Sequence, residues 1–84
     1  MSIEELIREV SGVKVSSDEL AARVAAAQQN LIKSNVNLTG LVRGNGKGEQ
    51  AVTAVAAAAG SLQKAVGAIK SLSDACQKCI EELS

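Results

Sequence analysis

The chain has 84 residues, with nine Lys plus Arg, nine Asp plus Glu, and no His, Phe, Trp, Tyr or Pro. Zero net charge and the lack of any aromatic ring argue against nucleic acid and anionic membrane as partners, because both the electrostatic and the base-stacking contributions are missing. A chain this short buries only about 60 to 65% of its unfolded surface. Its core must come from Ala, Val, Leu and Ile, and burying each large side chain contributes roughly 1.5 to 3 kcal/mol. Ordering the backbone costs roughly 1 to 2 kcal/mol per residue, so an alanine-rich domain of this size is marginal alone and pairing with a second one is expected.

Taken in chain order, Ser2 and Glu5 have the spacing of a capping box, and Ile3, Leu6, Ile7 and Val10 share one helical face. This predicts a short helix over about 2–10, ended by Ser11 and Gly12. Residues 11–16, with β-branched Val13 and Val15, read as an extended linker. Ser16 and Glu19 form a second capping box, and Asp18 adds negative charge where the helix dipole favours it, so a helix is expected over about 17–39. Along it Leu20, Val24, Ala27, Leu31, Ser34 and Leu38 recur at spacings of four and three, a heptad seam. Ala21, Ala25, Gln28 and Ile32 make a second stripe beside it, available to a neighbouring chain.

Four of the seven glycines, Gly40, Gly44, Gly46 and Gly48, cluster in the next segment and predict a reversing turn over 40–48. A helix over about 49–83 follows, on the order of 50 Å long at 1.5 Å per residue. Its seam runs through Val52, Val55, Ala59, Leu62, Val66, Ile69, Ser73, Cys76, Ile80 and Leu83. The excess length of this helix lies opposite the short N-terminal one. Gly60 and Gly67 interrupt it seven residues apart, as tolerated surface glycines or as a small flank for close helix approach. The fold expected is all-α, an antiparallel hairpin with a short extra N-terminal helix, pairing into a four-helix bundle.

Chemistry has few footholds. Residues 44–48, GNGKG, carry the amides and Lys of an anion cradle, but no strand precedes them and Gly follows Lys47 where a phosphate loop needs a hydroxyl. Cys76 and Cys79 make a C-x-x-C, at best half a zinc site, inside a helical pattern where thiols pack as small apolar groups. With no His, and with carboxylates at helix ends or on polar faces, no catalytic, cofactor or metal site is expected. No small molecule is expected either. No apolar run looks long enough for a membrane span, and the acidic N-terminal segment is unlike a signal peptide. The expected location is cytoplasmic, with secretion lacking a cleaved signal as the alternative.

The segment VKVSSDEL opening the first long helix, the heptad helix through LIKSNVNL, the Leu38–Thr39–Gly40 turn and the second long helix together resemble the WXG-type small proteins of bacterial type VII secretion, in particular WXG-like, toxin-associated relatives in Gram-positive bacteria. The resemblance covers about residues 13–80, with Leu38 standing where the family has Trp. It implies helical hairpins that pair antiparallel, as a homodimer or as a heterodimer with another hairpin or with the helical N-terminal domain of a secreted toxin. The family's export signal needs an aromatic residue, which this chain lacks. The function expected is that of a non-enzymatic protein-binding module, a partner or targeting factor for, or small substrate of, a type VII secretion system. Leu20, Val24, Leu31, Leu38, Val55, Leu62, Val66 and Ile69 are the expected packing and interface residues. A needle-like, self-assembling hairpin subunit is the alternative.

Overall fold

The computed structural model describes residues 2–84. Two helices, α1 over Ile3–Leu41 and α2 over Gly46–Leu83, pack along their whole length as an antiparallel hairpin of 63 × 17 × 13 Å. Among the described residues there are no strands. The all-α hairpin expected from the sequence is therefore the fold, with two differences in how its elements begin and end.

The first difference is that α1 is continuous. The separate short helix over 2–10 and the linker over 11–16 are parts of one 39-residue helix. Ser2 does cap its N-terminus, its side-chain oxygen accepting from the Glu5 amide at 3.1 Å. The second group of capping residues is used otherwise. Ser17 donates its hydroxyl back to the Val13 carbonyl at 2.7 Å, so it is satisfied within a running helix. Asp18 pairs with Lys14 at 2.9 Å, one turn earlier. Tertiary packing explains why weak formers at 11–16 stay helical. The last turns of α2, from Ser73 to Leu83, carry a seam that needs a partner, and an unbroken α1 supplies it.

The second difference is the turn, which occupies residues 42–45 rather than 40–48. Val42 ends α1, its amide donating to the Leu38 carbonyl at 3.0 Å, and Asn45 donates to the Val42 carbonyl at 2.8 Å. Gly44 sits at φ +81°, in the left-handed region that favours glycine. Asn45 then caps α2, its side chain accepting from the Gly48 amide at 3.0 Å. Glu49 reaches back from the first turn to accept from the Gly44 amide at 3.3 Å. Gly48 is required for another reason: a Cβ built there would stand 2.6 Å from Cγ1 of Val42 and closer still to its Cβ. Glycine at 48 thus lets the start of α2 lie against the Val42 side chain.

The core is thin. Among the described residues Ala21, Ala59 and Cys76 are the buried apolar ones, Ser17 and Ser73 the buried polar ones, and no large side chain is fully buried. Ser73 donates its hydroxyl to Asp18 across the two helices at 2.5 Å, which ties the register near the open end.

Candidate interaction surface

Burial along each helix repeats every three and four residues, so each helix presents a seam and two flanks. On α2 the seam falls where the sequence puts it: Val52, Val55, Leu62, Val66 and Ile69 are half-buried, and Ala59, Ser73 and Cys76 are buried. On α1 the seam follows Ala21, Val24, Gln28, Leu31, Asn35 and Leu38. It takes Val24, Leu31 and Leu38 from one expected stripe and Ala21 and Gln28 from the other. Leu20, expected to pack, is 49% exposed and lies beside the seam. Composition misleads here, because Leu20 and Ala27 make the more apolar stripe while the buried line includes an amide at Gln28 and another at Asn35. Thr39 and Gly40, expected in the turn, lie in the last turns of α1, where the Thr39 hydroxyl donates to the Asn35 carbonyl at 2.7 Å.

One flank of the seam is a groove. Ile32, Val36 and Thr39 form one wall and Ala56, Gly60 and Gln63 the other, over a floor that includes Asn35. The side-chain oxygen of Asn35 is buried without a hydrogen-bond partner. Ile32 is 46% exposed and Val36 69%, so two branched aliphatic side chains face outward from this wall. A Cβ added at Gly60 or Gly67 would meet nothing within 4 Å, so no contact inside the hairpin demands glycine there.

On the opposite flank the row next to the seam carries no charge, although Arg8 and Glu9 line the same groove as Val13 and Leu20. One step before each alternate seam residue come Leu6, Val13, Leu20, Ala27, Ser34 and Leu41 on α1, and Ala51, Ala58, Ala65, Leu72 and Cys79 on α2. Because the helices are antiparallel, these two rows lie on the same side of the hairpin. Leu6 and Cys79 are half-buried, whereas Val13, Leu20, Leu72 and Leu41 are 45 to 84% exposed.

The electrostatics offer no reactive centre. Asp18 is held below the ordinary aspartate value of 3.8, first by the Ser73 hydroxyl and then by Lys14. It is solvent-exposed and tied into structure. Cys76 is buried in the seam and Cys79 half-buried in the uncharged row beside it, both as free thiols. Among the described residues no three Cys, Asp or Glu side chains cluster as metal ligands. One expectation from the sequence is corrected: α2 contains an 18-residue stretch that is long and apolar enough to cross a membrane, and only 6% of it is buried. No protein-family model, curated protein or solved structure matches this chain.

Proposed function

We propose that this chain is a non-enzymatic protein-binding module that acts by helix–helix pairing, completing its core with a second helical hairpin to form a four-helix bundle. One observation carries the reading: among the described residues eight large aliphatic side chains are at least 45% exposed, while only five residues are buried, all of them small. A helix that is apolar around most of its circumference, as α2 is between Ala51 and Ile69, requires cover on more than one side. Among the described residues no cluster of metal-ligating side chains lies on either flank. Zero net charge supports a partner that is neither nucleic acid nor an anionic membrane surface.

The resemblance in sequence supports one partner class. On that basis the module is a WXG-like partner or targeting factor for a type VII secretion substrate, made in the cytoplasm and pairing with itself, with another small hairpin or with the helical N-terminal domain of a secreted toxin. Co-expression with such a domain, followed by size-exclusion chromatography with light scattering, tests it. A discrete complex of two or four chains is the expected result. Long open assemblies would favour the needle-like subunit instead, and a folded monomer that captures no helical domain would end the proposal.

A further inference from the structure

The turn carries a pair of residues whose chemistry the pairing reading does not use. Asn30, Asn35 and Asn37 lie within α1 and precede Leu31, Val36 and Leu38, whereas Asn45 precedes a glycine. The backbone nitrogen that follows an asparagine can attack that residue's side-chain carbonyl. Glycine hinders the attack least, having no Cβ and the widest choice of backbone conformation. Asn45 and Gly46 are both solvent-exposed, so water reaches them. Gly46 is the first residue of α2, and its N–H is among those at a helix start that have no intrahelical partner. Nothing crowds it, since a Cβ built on Gly46 would meet no atom within 4 Å.

We propose that Asn45 is a site of spontaneous covalent modification, deamidated through a cyclic imide with Gly46 when the turn opens. The Gly46 nitrogen bonds to Cγ of Asn45 and gives up its proton as the side-chain amide leaves as ammonia. Water then adds to one of the two carbonyls of the five-membered ring and breaks that carbonyl's bond to the nitrogen, which leaves either aspartate or an isoaspartyl linkage at 45. No oxidant or cofactor enters the balance. The folded cap holds the reaction off. Closing the ring needs the Gly46 nitrogen on the same side of the Cα–C bond as Cβ of Asn45, and at ψ 109° it lies on the far side. The side-chain oxygen is also held by the Gly48 amide at 3.0 Å, and the Asn45 carbonyl by the Glu49 amide at 2.9 Å. Ring closure therefore requires local opening, which is least costly at exposed turns and helix ends. The two products act oppositely on the hairpin. Aspartate at 45 keeps an oxygen for the Gly48 amide and adds negative charge where the dipole of α2 favours it. The isoaspartyl linkage runs the main chain through the side-chain carbon, which lengthens the turn by one methylene and displaces the carbonyl that Glu49 donates to.

Incubation of the full chain under native conditions, followed by peptide mapping with mass spectrometry and enzymatic methylation of isoaspartate, tests this. The mass gain of an amide-to-acid exchange is expected at Asn45, with none at Asn30, Asn35 or Asn37, and several-fold more slowly than in the same chain unfolded in urea. Gly46→Ala, where a Cβ has free space in the folded hairpin, should slow the reaction several-fold in both states. Asn45→Asp should melt at or above the temperature of the parent, and the purified isoaspartyl form below it. Native protein that stays unmodified while the unfolded chain converts completely, equal rates in the two states, equal conversion at Asn35 and Asn45, or an unchanged rate in Gly46→Ala would each overturn the proposal. None of these outcomes bears on helix–helix pairing, so the two readings fail separately.

Discussion

Gly44 in the turn and Gly48 in the first turn of α2 do different work, and substitution separates them. Gly44 supplies a backbone conformation with φ +81°, and an alanine there should cost about 1 to 2 kcal/mol, the penalty of the left-handed region for a residue with a Cβ. Gly48 supplies space, and its replacement by Ala pushes against Val42; overpacking of this kind costs about 1 to 3 kcal/mol. Urea melts of the two variants should show both losses, whereas Gly46→Ala, where a Cβ meets nothing within 4 Å, should match or exceed the parent. Asp18 gives a second residue-level expectation. Its folded pKa lies below its unfolded one, chiefly through the Ser73 hydroxyl, so its contribution is present above the unfolded value and is lost as pH falls through the folded one. Stability should therefore decline on acidification below about pH 4. In Ser73→Ala the Asp18 carboxyl should titrate closer to its ordinary value by NMR. An unshifted Asp18 titration would mean that the hydroxyl contact is not made in solution.

At the scale of elements, the heptad on α2 was fully legible, because ten seam positions are apolar or small and none competes. On α1 two stripes run side by side, and the more apolar one, with Leu20 and Ala27, is not the one that meets α2. The structure resolves it by volume: Leu62, Val66 and Ile69 are large, and α1 faces α2 with Ala21 and Ser17 as its most buried positions. The break at 11–16 was misread for a related reason. Ser11, Gly12 and the Ser16–Ser17 pair are strong local stop and start signals, but local preference is worth only about 1 kcal/mol per residue at most, less than the burial gained by covering the end of α2. Two substitutions test the continuity of α1. Gly12→Ala, whose Cβ would meet nothing within 4 Å, should stabilise by up to about 1 kcal/mol, and Val13→Pro should destabilise by about 3 kcal/mol or more because it removes a mid-helix hydrogen bond. Circular dichroism melts decide it: a linker would tolerate the proline with little change in helicity.

For the whole molecule, the sequence made the hairpin and the insufficiency of its core plain, since an 84-residue chain without aromatics cannot bury much in two helices. The surface on which the deficit is made good was hidden, because locating it requires the phase of the α1 seam relative to α2. Once that phase is known, Leu20 moves from the inside of the hairpin to its outer flank and Leu38 stays in the seam, and the two residues become opposite probes of one idea. Leu38→Asp places a charge between the helices, next to the turn that holds them together, and should cost the hairpin itself a few kcal/mol. Helicity should fall at every protein concentration. Leu20→Asp places the charge where half the side chain is already exposed, so the isolated hairpin should lose under about 1 kcal/mol. Its dimer should weaken strongly, because the same charge would be desolvated against a second hairpin. Helicity of Leu20→Asp should therefore depend on concentration more steeply than that of the parent, with sedimentation moving towards the monomer. Equal effects of the two substitutions on the folding of the monomer would mean that the seam of α1 passes through Leu20 after all.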